Sequence, residues 1–190
     1  MNYLKWLLLS GFMLSIYAFQ CNLECYDSME LQNWSAQWVD NSGKEPQTVE
    51  GPAPKNAFGI RLKADPVNQV RGSSDDSETC FPLLVHPFTD ISLITLDGFD
   101  TIPAQTDISD RFMLRYSTKT NLEYISLNNA LSTLSELWEI TDNSFRFDLL
   151  MVDPPSQPGN YRFSVQLRFD TLGATVNRDT LLILPTVTLQ

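Results

Sequence analysis

The stretch Tyr161-Arg-Phe-Ser-Val-Gln-Leu-Arg-Phe169 decides the fold class of this chain. Aromatic and aliphatic residues occupy every second position of it, and the residues between them are arginine, serine or glutamine. Successive side chains of a β-strand point to opposite faces, so strict alternation indicates a strand with one face on a core. The segment therefore predicts a half-buried antiparallel strand.

The segments on either side of this strand continue the β pattern. Upstream, the alternating apolar residues are Phe145, Phe147, Leu149 and Met151. The run Asp153-Pro-Pro-Ser-Gln-Pro-Gly159 then breaks the chain with turn-forming residues. Residues 180–190 are rich in β-branched side chains and predict a closing strand, in which Pro185 favours an edge position or a bulge.

The first half of the chain carries shorter segments of the same kind. The apolar residues that share a strand face are Trp34, Ala36 and Trp38 in residues 33–40, and Phe58, Ile60 and Leu62 further on. Two more apolar runs cover residues 91–96 and 112–116, and Gly-, Pro-, Asp- or Ser-rich turns separate the segments. Such spacing predicts a mainly β protein, an immunoglobulin-like antiparallel β-sandwich of seven or eight strands.

One segment follows helical spacing instead. Its apolar residues are Leu127, Ala130, Leu131, Leu134 and Trp138, and Ser126 could cap its start. We expect one short helix over residues 127–137 that crosses between the two sheets. No internal repeat or long linker divides the chain, so residues 21–190 are predicted to form a single domain.

Residues 1–20 have the pattern of a secretory signal peptide. Lys5 precedes an apolar run from Trp6 to Phe19, and the chain turns polar immediately afterwards. The apolar run is shorter than the roughly 20 residues that span a bilayer comfortably. An anchoring helix or a buried core strand is the alternative, but we expect a cleaved signal.

Two cleavage sites fit this signal. A small residue, Ala18, allows ordinary cleavage before Phe19. Alternatively, Cys21 becomes the first residue of the mature chain and carries lipid, as in bacterial lipoproteins. The stretch Ala18-Phe19-Gln20-Cys21 resembles a lipobox, with Gln20 in the place where a small residue is usual.

The number of cysteines favours the lipidated form. An exported chain with 3 cysteines leaves one thiol over if two of them pair. Acylation of Cys21 would leave Cys25 and Cys80 as an even pair in a compartment that permits disulfides. The alternative is that Cys25 and Cys80 are unpaired and Cys21 merely follows a signal.

The charge balance limits the partners. With 13 basic and 23 acidic residues the chain carries a formal charge of −10, and loss of Lys5 with the signal makes it −11. Binding to nucleic acid would require clustered Lys and Arg, so no nucleic-acid partner is expected. An anionic domain is also repelled by anionic membranes, so contact with a membrane would go through a lipid on Cys21.

Catalytic and metal-binding patterns are weak in this sequence. His86, the one histidine, lies in an apolar run before Pro87, which suits a structural role better than a Ser-His-Asp triad. One histidine and three cysteines make a poor zinc set. No phosphate-binding loop occurs, and the two carboxylates that cleave a glycoside have no recognisable pattern here. We expect no enzyme activity and no cofactor.

Among metal ions, calcium has the best candidate ligands in this sequence. Its candidate ligands are Asp97, Asp100, Asp107 and Asp110, which lie between two predicted strands. Their spacing matches no calcium-loop pattern, and Asp107-Ile-Ser-Asp110 is better explained as a turn capped by side-chain to backbone hydrogen bonds. No metal is therefore expected.

Aromatic residues supply the candidate ligand-binding surface. The candidates are Trp34, Trp38 and Trp138, with Tyr116 and Tyr124 beside them. Such rings could form a platform for a sugar or for a partner's side chain. Aromatic residues at strand or helix spacing also fill cores, and the sequence alone leaves both interpretations open.

The end of the chain resembles the final hairpin of immunoglobulin-like extracellular modules, on the strength of Pro158-Gly-Asn-Tyr-Arg-Phe-Ser-Val165 and Arg178-Asp-Thr-Leu-Leu-Ile183. In that hairpin a Gly-x-Tyr opens the penultimate strand and the tyrosine packs at a corner. With the export signal, Cys21, Cys25-Tyr26, residues 57–62 and residues 106–112, the chain also resembles uncharacterised lipoproteins of the Bacteroidetes type. The resemblance implies localisation to the cell envelope and no established activity.

These observations predict an exported, lipid-anchored β-sandwich that acts as a noncovalent binding or scaffolding module with an unknown protein or glycan partner. We expect it at the outer membrane of a Gram-negative envelope, facing the periplasm or the surface, and secreted if Cys21 is not lipidated. Alternatives are a carbohydrate-binding module that uses exposed aromatic rings, or a subunit of a surface assembly such as a pilus.

Overall fold

A computed structural model describes five stretches of the chain: residues 26–70, 81–117, 122–134, 145–170 and 179–190. The predicted signal and the cysteines at positions 21, 25 and 80 lie outside the described residues, as does Trp138. The lipidation and disulfide predictions therefore stay predictions.

Two sheets make up most of the described chain. The larger one contains β1 (Tyr26–Asp40), β2 (Gln47–Thr48), β3 (Phe58–Val70), β4 (Phe81–Leu84), β7 (Phe112–Ser117), β8 (Leu122–Ser126) and β9 (Phe145–Met151). The smaller one contains β5 (Phe88–Thr95), β6 (Thr106–Asp107), β11 (Phe163–Phe169) and β12 (Thr180–Ile183). A separate pair joins β10 (Gly159–Tyr161) to β13 (Val187–Leu189).

The strand order is that of an immunoglobulin-like sandwich. The larger sheet runs β2-β1-β3-β9-β7-β8 and the smaller one β12-β11-β5-β6. Six strands are additions to the basic fold: β2, β4, β6, β8, β10 and β13. The seven that remain are, in chain order, β1, β3, β5, β7, β9, β11 and β12. Of these, the first, second, fifth and fourth form one sheet, and the third, sixth and seventh form the other. The mainly β prediction is confirmed, although the described residues contain 13 strands rather than seven or eight, because several additions are only two to four residues long.

The core lies between the two sheets and consists of the predicted apolar faces. The fully buried side chains include Phe58, Ile60, Leu62, Leu93, Phe112, Leu149, Phe163, Val165 and Leu167. The ring centroids of Phe58 and Phe163, which belong to opposite sheets, are 5.9 Å apart. Aromatic contacts of this kind add to the stability that burial of the rings supplies.

The outer face of the larger sheet differs from the expected polar surface. Arg61 on β3 and Asp148 on β9 are both buried, and Arg61 Nε and an Nη donate to the two carboxylate oxygens at 2.6 and 2.8 Å. This hydrogen bond to Asp148 raises the pKa of the Arg61 guanidinium above its ordinary value. A buried charge is tolerated because it is paired and hydrogen-bonded.

The strand predicted over residues 161–169 is interrupted at Arg162. Residues before it pair with β13, and residues after it pair with β5 and β12. The single closing strand predicted over residues 180–190 is likewise divided, into β12 and β13, which belong to different sheets. Pro185 lies between them and outside both strands, so the prediction that it occupies an edge position or a bulge within one strand is wrong.

Tyr161 packs at a corner, as the final-hairpin pattern predicts. Its hydroxyl donates to the Gln157 carbonyl oxygen at 2.9 Å, and its ring is buried against Phe99. A Cβ atom at Gly159 would come within 3.2 Å of the Tyr161 ring and hydroxyl, so this position favours glycine.

The predicted helix is described as α1 (Leu127–Leu134), within residues 122–134. It follows β8 and precedes β9, which are both strands of the larger sheet, so the expectation that it links the two sheets is wrong. It nevertheless contacts β5 of the smaller sheet. Leu127 and Ala130 are buried because the helix covers one side of the sandwich core.

Candidate functional site

The candidate site begins at a bulge in β1. The pairing of β1 with β3 shifts its register between Gln32 and Ser35. Asn33 has a φ of 53°, in the left-handed region that asparagine tolerates better than most residues. Its side-chain Nδ2 donates to an Asp65 carboxylate oxygen at 3.0 Å, which fixes the bulge against β3. Bulges of this kind redirect side chains and are common next to binding sites.

The bulged part of β1 also lies at an open edge. On the side away from β3, β4 pairs with residues 26–29 and β2 pairs with residues 39–40. Among the described strands none is paired with residues 30–38 on that side. The backbone between the two short partners is therefore the place where the sheet leaves room for a cavity.

A cavity of about 290 Å³ occupies this place. It is lined by Glu30, Leu31, Gln32, Asn33, Trp34, His86, Phe169 and Thr180. These residues come from β1, from the segment after β4, from the end of β11 and from the start of β12. Its size is close to the lower limit for pockets that bind small molecules.

Trp34 forms an aromatic wall of the cavity and is held firmly. Its ring centroid lies 5.7 Å from that of Phe88 and 5.9 Å from that of Phe145, both in edge-to-face geometry. The Phe169 ring, which also lines the cavity, is 6.0 Å away and tilted. Trp34 is partly exposed, so one part of its ring packs on the core and another part borders the cavity.

Glu30 also lines the cavity and is almost completely buried. Only 4% of this residue is exposed, which is uncommon for glutamate because an ionised side chain is costly to remove from water. Trp34 follows four residues further along β1. The lining thus contains an acidic residue and an aromatic ring.

His86 has a defined orientation. Its Nδ1 lies 3.1 Å from the Asp170 carbonyl oxygen. A carbonyl can only accept a hydrogen bond, so Nδ1 carries the hydrogen and Nε2 is the acceptor in the neutral ring. The Asp170 N–H in turn donates to the Pro87 carbonyl oxygen at 2.9 Å, which ties the two segments together.

Trp38, the second predicted ligand-binding tryptophan, lies in the core. It is 5% exposed, and its ring centroid is 5.1 Å from Phe58 and 5.8 Å from Phe163. Trp34 and Trp38 therefore share a strand face, but only Trp34 reaches the cavity. Tyr124 on β8 is 46% exposed and does not line the cavity, and Tyr116 belongs to β7.

Aspartates proposed as calcium ligands form ion pairs or hydrogen bonds with other residues of the protein. Asp97 forms an ion pair with Arg162, and Asp107 accepts from the Ser109 N–H at 2.8 Å. Within the described ranges no group of three or more His, Cys, Asp or Glu side chains is placed to hold a metal ion. The turn-capping interpretation of Asp107 is confirmed.

Asp100 shows the same use of a carboxylate. It accepts from the Ser156 N–H at 2.8 Å and from the Ser156 hydroxyl at 3.0 Å, and it thereby joins the loop after Gly98 to the loop before Tyr161. Burial would raise the pKa of Asp100, but hydrogen bonds from Ser156 and Gln157 outweigh it, and the pKa lies below its ordinary value. These loops border a wider cavity of about 610 Å³, whose acidic groups are engaged by the protein itself.

The sequence pointed to Trp34 as a candidate but not to the residues that surround it. Glu30 and Asn33 carried no recognised motif, and His86 was assigned a structural role. A signal was present in the polar pair Gln32-Asn33, which interrupts the apolar alternation before Trp34. Such an interruption is typical of a bulge, yet nothing in it shows what the bulge faces.

Comparison with known proteins gives no match for this chain: no family model, no curated protein and no solved structure is significantly similar to it. Within the stretches that the structure describes, no helix has the length and apolar character needed to cross a membrane. The functional argument therefore rests on the geometry of the β1 cavity and on the sequence patterns.

Proposed function

We propose that this chain is an exported, lipid-anchored module of the cell envelope that binds a small ligand noncovalently in the cavity at the β1 bulge. The observation that carries the proposal is Trp34, whose ring contacts four phenylalanine rings and borders the cavity. The lipid anchor rests on residues 1–20 and Cys21 alone.

The construction of the cavity suits binding. Its aromatic wall is fixed before any ligand arrives, and this lowers the entropy cost of association. Apolar surface from Leu31, Trp34 and Phe169 stands beside a few polar groups, the combination that small-molecule sites use for affinity and orientation.

The position of Cys21 is compatible with this use. β1 begins at Tyr26, five residues after Cys21, and an extended chain spans at most about 3.6 Å per residue. A lipid on Cys21 would therefore hold the start of β1 within about 20 Å of the membrane surface. The cavity lies only a few residues further along the same strand.

The anchor is tested by metabolic labelling with a palmitate analogue. We expect the unmodified chain to be labelled and to sediment with membranes, and Cys21→Ala to lose both properties. Cys25→Ala is the matched control and should keep the label. Unchanged labelling and fractionation of Cys21→Ala would show that the chain is not a lipoprotein.

Ligand binding is tested by heteronuclear NMR of the purified protein against a small-molecule library. A compound that binds in the cavity should shift the indole N–H resonance of Trp34, and Trp34→Leu should weaken its binding by about tenfold or more. Tyr124→Leu removes an exposed aromatic ring that does not line the cavity and should leave binding unchanged. Equal losses in both variants would contradict a site at Trp34.

A carbohydrate-binding module is the second candidate. The position of Trp34 beside the side chains of Gln32 and Asn33 favours it, because sugar rings combine an apolar face with hydroxyl groups. Binding to a glycan array that is lost in Trp34→Ala and kept in Trp38→Phe would support this role. Absence of any glycan binding by the folded protein would remove it.

A subunit of a surface assembly is the third candidate. The edge strand β12 presents two exposed apolar side chains, Leu181 at 61% and Ile183 at 70%. Sedimentation should then show self-association that Leu181→Lys abolishes, whereas Val152→Lys, at another exposed apolar position, leaves it intact. A strict monomer at high concentration would exclude self-assembly through β12.

A further inference from the structure

The geometry points to an extended segment of a partner protein as the ligand of the β1 cavity, paired as an added antiparallel strand with the open edge of β1. This inference rests on the proposed binding at the cavity and specifies the ligand class. It follows from the direction of the backbone groups along the edge, from the register across the bulge and from two cavities beside the edge.

The backbone N–H and C=O groups of Leu31 point to the open edge of β1. The Met29 carbonyl oxygen accepts from the Val85 N–H at 2.9 Å, so Met29 directs its backbone groups away from β3. Alternate residues of a strand direct these groups to the same side, which gives Leu31, two positions further on, the same direction. Leu31 lies opposite Pro66 on β3, whose nitrogen has no hydrogen to donate, and this agrees with the assignment.

The backbone groups of Ala36 point the same way on the other side of the bulge. The Trp38 carbonyl oxygen accepts from the Val49 N–H at 3.0 Å, so Trp38 and, by the same alternation, Ala36 direct their backbone groups away from β3. Within the part of the chain that the structure describes, neither Leu31 nor Ala36 has a backbone partner on this side. Unpaired backbone groups along an edge are a template for pairing with another chain.

The register of β3 predicts the spacing that an added strand would have. Leu31 lies opposite Pro66 and Ala36 opposite Leu62, because two residues of the bulge face one residue of β3. An added strand that follows the same bulge would place positions i and i+4 opposite Leu31 and Ala36. Directly opposed residues share a face, so these two side chains would point to the side on which Leu31 and Ala36 pack against the core.

A cavity lies beside each of the two pairing positions. Leu31 lines the cavity of about 290 Å³, and Ala36 lines a second cavity of about 390 Å³. The apolar residues that line the second cavity are Ala36, Trp38, Val49, Pro52 and Pro185. In strand addition, backbone hydrogen bonds supply affinity and pockets for alternate side chains supply specificity. The edge of β1 offers both features within one short stretch.

The test uses blocked heptapeptides, acetyl-Thr-X-Thr-X-Thr-X-Thr-amide, in which X is Leu, Val, Phe or Tyr. Amide hydrogen exchange of the purified, unmodified protein follows their binding. In the free protein the N–H groups of Leu31 and Ala36 should exchange much faster than that of Gln37, which pairs with Arg61 on β3. A saturating peptide should slow the exchange of Leu31 and Ala36 by about tenfold or more and leave that of Gln37 unchanged.

Methylated peptides test the backbone pairing itself. In an antiparallel pair, the X residues whose side chains enter the cavities also direct their N–H groups toward β1. N-methylation of the X residues at the second and sixth positions should therefore weaken binding by about tenfold or more. N-methylation of the threonines at the third and fifth positions is the matched control and should leave the affinity nearly unchanged. Equal effects of the two modifications would overturn strand pairing.

The outcomes separate the inference from the function on which it rests. Slow exchange of Leu31 and Ala36 in the free protein would show that the edge is already covered, and protection that rises with protein concentration would identify a second copy as the occupant. Either result overturns the inference. If no heptapeptide protects these amides while a small molecule shifts Trp34, the peptide assignment fails and a binding cavity remains. If neither peptides nor a broad library bind, the proposed function fails as well, whereas protection of both amides with loss in only the first methylated peptide supports both.

Discussion

Two parts of β1, the bulge at residues 33–34 and the end at residues 38–40, are built from similar residues and have different surroundings. At the end, Trp38 is enclosed by the core, and residues 39–40 have β3 on one side and β2 on the other. At the bulge, Trp34 borders a cavity beside the edge of the strand that no described strand covers. The same strand face thus supplies core packing at its end and a candidate ligand surface at the bulge.

The comparison indicates that the backbone geometry of the bulge, rather than the residue type, distinguishes the surroundings of the two tryptophans. Both tryptophans contact several phenylalanine rings, so ring contacts alone do not distinguish them. The register shift between Gln32 and Ser35 changes how the strand meets its neighbours. The stability of the fold should accordingly depend more on Trp38, and ligand binding more on Trp34.

The largest expected effect is the loss of stability in Trp38→Ala. Removal of an enclosed tryptophan from the core should lower the free energy of unfolding by about 3–5 kcal/mol. Trp34→Ala should cost clearly less, because part of its ring already faces the cavity rather than other protein atoms. Urea denaturation of both variants measures the two losses, and a greater loss for Trp34→Ala would contradict the division of β1.

A smaller loss of stability is expected at Gly59 on β3, which pairs with Val39 at the packed end of β1. A Cβ atom there would lie 2.8 Å from the Leu149 carbonyl oxygen and 3.0 Å from Val39 Cγ2. Gly59→Ala should therefore overpack the sheet and lower the free energy of unfolding by about 1–3 kcal/mol. Thermal denaturation checks this, with Gly51→Ala as the control because a Cβ atom at Gly51 meets nothing within 4 Å.

Alternation in the sequence predicted the packed parts of this fold well. Phe58, Ile60 and Leu62 are buried as expected, and so are Phe163, Val165 and Leu167. The corner at Tyr161 also followed from its Gly-x-Tyr context. These features depend on the local order of apolar and polar residues, which can be read from a single sequence.

The remaining features depend on contacts between distant segments. Arg61 is placed on the polar face of its strand by alternation, and only the fold shows that Asp148, far along the chain, buries and pairs with it. The break at Arg162 arises because the final strand changes partner at the same level. The cavity needs Glu30, His86 and Phe169 from three separate segments, and no local pattern joins them.

The smallest effect is expected at the bulge itself. Glycine adopts the φ of 53° at position 33 without strain, so Asn33→Gly should change the free energy of unfolding by less than about 1 kcal/mol despite losing the bond to Asp65. Asn33→Val should cost about 1–2 kcal/mol more than glycine, because a β-branched residue is strained in this region. Equal stabilities of the two variants would show that the bulge relaxes in solution.

The most direct test of the central claim is an NMR titration of the unmodified protein with a small-molecule library, followed at Trp34 and Trp38. If the bulge of β1 is a ligand site and the end of the strand is core, at least one compound shifts the indole N–H of Trp34 with saturation while that of Trp38 stays nearly constant. Saturable shifts at Trp38 without shifts at Trp34, or no saturable shift at either ring with any compound, would contradict the account.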